Sequence, residues 1–253
     1  MKAIQIQWMP GVATAALCLF AMTGCGPTEK QLAARAEATR IDCLDKICYG
    51  DVAPKIDNTK EAILKLNGQW YAGPKEYFAS GEGAAFYWPS KTPFTGKPNG
   101  QPWPEQRQPF YDVAIEIFFT GRQRWTNPNV QEPWEGTTWA KRAGRIESEG
   151  YRTEQTKLSN QLELVRFIQP NGKPYGTNFY IATQEQRIRG VEPPVLSCDV
   201  SIPPHLLDSC TAGEYWQSDV YADFRLRARH ATDWPAIHQE IIRVLNLAKK
   251  VQP

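Results

Sequence analysis

The residues in this chain with chemistry to offer are a few cysteines, three histidines and scattered carboxylates. Cys43 and Cys48 enclose the stretch CLDKIC, and Cys198 and Cys210 enclose SCDVSIPPHLLDSC. An even set of thiols in an oxidising compartment reads as disulfides. Three pairings are open. The two local ones, Cys43–Cys48 and Cys198–Cys210, are preferred, because the first closes a tight loop and the second clamps an insert with two prolines. His205 lies between the last two cysteines, but C-x4-C with a remote C-x11-C is a poor zinc spacing. No metal and no cofactor are expected.

Nucleophilic catalysis by a triad needs a histidine base, and only His205, His230 and His238 are candidates. The G-x-S-x-G elbow is missing, and Ser80 in FASGEG has the wrong spacing for it. H-E-x-x-H, G-x-x-x-x-G-K and G-x-G-x-x-G are likewise not found. Glu116 and Asp223 are conceivable carboxylates for glycoside chemistry, whose spacing the fold would set. A structural ion pair or a solvated side chain is the commoner role for each. The chain is not expected to be an enzyme.

Aromatic residues are the richer signal. Residues 89–109 hold six prolines without periodicity, and residues 121–142 hold three tryptophans among Arg, Asn and Glu. Long irregular segments in compact domains tend to bind something. Trp103, Trp125, Trp134 and Trp139, with Arg122 and Arg124, are the candidate partner-binding residues; Trp216 and Arg142 belong to the same group. Trp and Arg dominate protein-interface hot spots. The competing expectation is that half of these tryptophans fill a core.

The N-terminus places the chain. Lys2 precedes an uncharged apolar run, GVATAALCLFAM, that is too short for the roughly 20 residues of a spanning helix. It suits the h-region of a secretory signal. The run ends in Met22-Thr23-Gly24-Cys25, which resembles a bacterial lipobox. That resemblance implies cleavage before Cys25 and lipidation of its thiol. Several acyl chains would then give stable membrane attachment. Gly26 stands where an inner-membrane retention Asp would be, so the resemblance implies the outer membrane, facing the periplasm. Residues 1–24 are assigned to the signal peptide, 25–42 to the lipidated N-terminus and linker, and 43–253 to a single β-rich domain. The polar, Ala-rich stretch GPTEKQLAARAEATR reads as a plain linker in preference to a loosely helical spacer.

With Lys2 removed, the 29 basic side chains become 28 against 27 acidic ones, a net charge of +1. Such a balance gives no nucleic-acid footprint. The body alternates as β-strands. Asn67-Gly68 between AILKL and QWYAG is a hairpin signal, with Leu64 and Leu66 on one side and Ile63 and Lys65 on the other. AAFYWP reads as a strand. YDVAIEIFFT places Val113, Ile115, Ile117 and Phe119 on one face, and Ala114, Glu116 and Phe118 on the other. QLELVRFIQP and GTNFYIATQEQRIRG read as strands, and PPVLSCDVSI as an edge strand. In SDVYADFRLRARH, Val220, Ala222, Phe224, Leu226 and Ala228 face inward; Tyr221, Asp223, Arg225, Arg227 and Arg229 face out on a solvated sheet face.

TDWPAIHQEIIRVLNLAKK reads as an amphipathic helix, with Thr232 or Asp233 as cap, Pro235 in its first turn, and Lys249 and Lys250 in its last. His238 is expected to be half-exposed on it. The class is α+β: mainly antiparallel sheet with a C-terminal amphipathic helix packed on it.

The block CLDKICYGDVAPKIDNTKEAILKLNGQWYAGPKEYF behind a lipobox, with the Trp-capped C-terminal helix, resembles bacterial lipoproteins that act as immunity proteins to type VI secretion lipase effectors. The likeness spans Cys43 to about Tyr77 and the general plan of strands followed by a helix. It implies a membrane-anchored inhibitor that binds a lipase-like toxin in the periplasm and needs no active site. A structural or assembly lipoprotein of the envelope or a secretion machine is the second expectation. A glycan-binding or hydrolytic periplasmic protein is the third.

Overall fold

The structure, a computed structural model, describes residues 27–78, 83–94, 114–121, 139–182, 194–200, 209–217 and 220–253. The Asn-Gly signal yields a hairpin. Strands β1 (Glu61–Leu66) and β2 (Gln69–Pro74) pair in the register Leu66↔Gln69. Asn67 (φ 49°) and Gly68 (φ 75°) both adopt left-handed conformations. A two-residue turn of that kind matches the twist of the flanking strands, and Asn and Gly are the residues that tolerate it. Leu64 and Leu66 are buried as the alternation requires. A short C-terminal strand, β11 (Lys249–Val251), adds to the other side of β2, giving the order β1-β2-β11.

The remaining strands form one antiparallel sheet of eight: β3 (Gly83–Tyr87), β4 (Ala114–Gly121), β5 (Arg152–Ser159), β6 (Leu162–Ile168), β7 (Thr177–Ala182), β8 (Val195–Asp199), β9 (Ser209–Gln217) and β10 (Val220–Arg227). Their spatial order is β3-β4-β10-β9-β8-β7-β6-β5. β8 is therefore an interior strand, not the edge that PPVLSCDVSI suggests, because β7 and β9 both pair with it.

One face of this sheet carries the main core. Ile115, Ile117 and Phe119 of β4 join Val220, Ala222, Phe224 and Leu226 of β10, the inward sets that the alternations predict. Helix α3 (Trp234–Leu245) covers them with Trp234, Ile237, Ile241, Val244 and Leu245. Leu64, Leu66 and Tyr71 of the small sheet complete the same cluster, so both sheets and α3 share one core. The α+β class and the packed C-terminal helix stand.

Three details of the helix differ from expectation. A 3-10 helix, Ala228–Asp233, takes up the residues before it, so Ala228 and Arg229 are not strand. Asp233 occupies the cap position but caps nothing; its Oδ2 accepts a hydrogen bond from the Trp88 indole at 3.1 Å. The helix stops at Leu245 with Asn246 as its cap, and Lys249 and Lys250 run on as strand β11. Pairing with β2 gives those lysines backbone partners that a fraying last turn would lack.

A second, smaller cluster sits on the opposite face. Helix α2 (Trp139–Ser148) lays Ile146, with Trp139 and Ala143, on Val165, Phe167, Phe179 and Ile181 of β6 and β7. Within 121–142, which reads as irregular, Trp139–Arg142 thus begin a helix. The segment before the body is helical too. Helix α1 (Glu29–Asp42) opens with a capping box: Gln31 N–H donates to Thr28 Oγ1 at 3.3 Å, and Thr28 N–H donates to Gln31 Oε1 at 2.9 Å. Only Ile41 of it is buried. The linker is a solvent-surrounded rod, the spacer form that the sequence reading set second.

The expected disulfides Cys43–Cys48 and Cys198–Cys210 are both present. The first closes a loop that ties the two sheets together. Asp45 Oδ1 accepts from Asn67 N–H at 2.7 Å in the small sheet's turn, and Oδ2 accepts from Gly121 N–H at 2.8 Å at the end of β4. Gly68 N–H also donates to Leu44 O at 2.9 Å. Beside the loop, the Lys65 ammonium donates to Asp51 at 2.7 Å and the Cys48 N–H donates to it at 2.7 Å. The second disulfide joins directly opposed residues of β8 and β9 inside the main core.

Candidate functional site

The sheet face that bears α2 is covered unevenly. The helix lies over β6 and β7, and no described element lies over the start of β4 and the end of β10. Strand pairing aligns a row of side chains across this face. Glu116 is opposite Arg225, Arg225 opposite Thr211, Thr211 opposite Ser197, and Ser197 opposite Phe179. The row begins charged in the open half and ends aromatic beneath α2.

Two depressions follow this row. One, of about 310 Å³, is lined by Ala114, Glu116, Ser209, Thr211, Arg225 and Arg227. The other, of about 200 Å³, is lined by Tyr175, Thr177, Phe179, Ser197, Asp199 and again Ser209 and Thr211. The shared hydroxyl residues make them one shallow trough. At its covered end, Arg142 of α2 is 3% exposed and donates from Nη2 to Ser197 Oγ at 2.5 Å. Its guanidinium carbon lies 5.1 Å from the Phe179 ring centre and 5.9 Å from that of Trp139. Burying a guanidinium is costly unless donors are met, and aromatic faces offset part of that cost. At the open end, Arg225 lies over the ring of Phe118 at 4.9 Å. Phe118 is 37% exposed, one of few large apolar side chains on the described surface.

Towards the far ends of β9 and β10 the face closes. Tyr221 is 1% exposed, makes an edge contact with Tyr215 at 5.3 Å, and lies on Gly213, where a Cβ would meet its ring at 2.7 Å. Tyr221, expected to face solvent, is thus a packed residue on the outward side. At the end of β3, Tyr87 packs on Phe94 at 5.1 Å, and burial pushes its phenol above the ordinary range.

The expected catalytic candidates fall apart as a constellation. Glu116 and Asp223 do share this face, as diagonal neighbours on the paired strands β4 and β10. His230 is in the 3-10 helix and 4.0 Å from Asp233. His238 is fully buried, against the half-exposed position expected of it; it contacts the Glu214 carboxylate and packs 5.3 Å from the Trp234 ring. It lies one turn after Trp234 and one turn before Ile241, so helical spacing puts it on the core face. Among the described residues no group of three or more His, Cys, Asp or Glu side chains is placed to hold a metal ion.

The partner-binding candidates divide. Trp139 is half-buried and packs 5.2 Å from Phe179, holding α2 to the sheet. Trp216 is buried between Tyr71 at 5.2 Å and Phe119 at 5.5 Å, a core role. Trp103, Trp125, Trp134, Arg122, Arg124, His205 and the lipidation residue Cys25 lie outside the described residues. Phe118, Arg225 and Arg227 were not singled out as a site by sequence. Alternation had already put each on an outward face; the pairing of β4 with β10, which joins them, has no local signal.

No helix among the described residues is long and apolar enough to cross a membrane. No family model, no curated protein and no solved structure matches the chain.

Proposed function

We propose that this chain is a lipid-anchored protein of the outer membrane, facing the periplasm, that binds and neutralises a secreted toxic effector of the phospholipase type. The observation that carries the reading is the pair of disulfides behind the lipobox-like Met22-Thr23-Gly24-Cys25. Such bonds suit an extracytoplasmic compartment, and they brace the body at two places. A braced body favours tight binding, because little order must be gained on association. Neutralisation asks for a large complementary surface and no catalytic group.

The test uses the full chain with a C-terminal tag, expressed in its own organism, solubilised in mild detergent and captured. Retention of one lipase-like protein, together with protection of cells that express both, is the expected result. Capture of envelope-machine subunits instead would move the chain to an assembly role. Capture of nothing, with no protection, would sink the inhibitor reading.

A second reading has one observation behind it. Glu116 and Asp223 share a face beside a trough, and diagonal neighbours across a sheet lie about 7–8 Å apart. From Cα atoms so spaced, two carboxylates can stand the roughly 6.5–9.5 Å apart that inverting glycosidases use. Hydrolysis of envelope glycan by the purified chain, lost in Glu116→Gln, would favour it over inhibition.

A further inference from the structure

We infer that the open half of the large sheet, from Phe118 across Arg225 to Ser209, is the surface that receives the partner protein, and that the partner brings a carboxylate to Arg225 beside an apolar side chain on Phe118. This rests on the proposal that the chain acts by binding a protein.

Three observations lead there. The first is an ion pair that does not form. Glu116 and Arg225 stand directly opposite each other on β4 and β10, where oppositely charged side chains ordinarily meet. Arg225 instead lies over Phe118, and neither Arg225 nor Glu116 has an ion pair or hydrogen bond through its side chain among the described residues. An arginine placed on an aromatic ring has its charge partly ordered while its N–H donors stay available for a planar, two-point acceptor such as a carboxylate.

The second is the balance of charge. Arg225 borders the depression of about 310 Å³ with its charge unmatched by Glu116, and Ser209 and Thr211 supply hydroxyls on its far side. That volume admits one or two side chains, and the charge selects an acidic one. The third is Phe118, exposed on a rigid strand whose other face, Ile117 and Phe119, is locked in the core. An aromatic anchor and an arginine on a rigid element are the residue types that carry binding energy when a partner covers them. The hydroxyl-lined trough then leads inward towards Ser197, giving the partner's chain a direction along the sheet.

The test starts with a probe that needs no partner. The full chain, labelled at arginine side chains and held in detergent micelles, is titrated with acetyl-Phe-Glu-amide and, separately, with acetyl-Phe-Gln-amide while the Arg Nε–Hε resonances are followed. A saturable shift of the Arg225 resonance with the acidic dipeptide is expected, about tenfold weaker with the amide. The shift should vanish in Arg225→Gln and weaken in Phe118→Ala. Both side chains are exposed, so these variants should melt as the parent does. Equal response to the two dipeptides, response confined to other arginines, or no response overturns the assignment.

The captured partner gives the second arm. Arg225→Glu should weaken its retention by about thirtyfold or more, the size of a hot-spot loss. Undiminished capture overturns this surface and leaves the inhibitor proposal intact. Dipeptide binding with no partner captured does the reverse.

Discussion

Asp45 offers the sharpest test of how the two sheets are joined. Its two carboxylate oxygens each accept one backbone N–H, from Asn67 at 2.7 Å and from Gly121 at 2.8 Å. Hydrogen bonds to a charged partner are worth about 1.5–3 kcal/mol each. Both bonds are partly exposed, so the lower end applies, and Asp45→Ala should cost about 2–4 kcal/mol in total. For a chain of this size that lowers Tm by about 4–16 °C. Gly121→Ala attacks the same contact from the other side. A Cβ there would sit 2.4 Å from Asp45 Oδ1 and 2.9 Å from Oδ2, so the carboxylate must withdraw. With Asp45 already alanine, the methyl has room. The double variant should therefore cost about 1–3 kcal/mol less than the sum of the singles. Thermal and urea unfolding of the oxidised protein, read by circular dichroism, measures all four corners. Near-neutral singles, or additivity within about 0.5 kcal/mol, would refute the account of Asp45 as the joint.

Three further perturbations separate the other contributions. The Cys198–Cys210 bond spans 12 positions and Cys43–Cys48 spans 5, so Cys→Ala pairs should cost about 3 and about 2 kcal/mol on loop entropy alone; urea midpoints in the opposite order would show that entropy does not govern them. His238→Ala empties a buried site and strands Glu214, for about 2–4 kcal/mol. Glu214→Gln keeps an acceptor for the ring and should cost about 1 kcal/mol; equal losses would mean that the contact with the carboxylate, and not the packed imidazole, is what matters. Hydrogen bonds from Lys65 and then from the Cys48 N–H hold the Asp51 carboxyl below the usual carboxylate range. Its contribution is thus complete at neutral pH and is lost as pH falls through that lowered value. Asp51→Asn should be less stable at pH 7 and lose less between pH 5 and pH 2 than the parent; parallel acid-unfolding curves would contradict the pairing.

Local signals account for what the sequence revealed. Asn67-Gly68 needs only its neighbours to form a turn, and both residues take the conformation that the dipeptide favours. The alternations at 115–119 and 220–226 are exposed-or-buried patterns that any partner strand would satisfy, so they could be read before the partners were known. What escaped was non-local or weakly marked. β4 pairs with β10 across about a hundred residues, and that pairing assembles the trough. Helix α2 is short and carries Gly144; its core positions Trp139, Ala143 and Ile146 sit at helical spacing, but the tryptophan-rich surroundings pointed to a loop. Arg142 is buried because its guanidinium finds Ser197 and two rings, contacts that only the folded sheet supplies. His238 is a miss that the sequence could have prevented, since Trp234 and Ile241 flank it at one-turn spacing, and the Thr28…Gln31 capping box of α1 is another.

The three-stranded sheet has a consequence for the order of folding. Its β1 and β2 are neighbours in sequence, yet β11 is made of Lys249–Val251, and Leu64 and Leu66 belong to the same core cluster as Trp234, Ile237 and Ile241 of α3. The small sheet is consequently completed by a strand about 180 positions away from its partner, Val251 pairing with Trp70. Contacts of such sequence separation form slowly, so β11 is expected to dock late, after the β1–β2 hairpin has closed on its local turn.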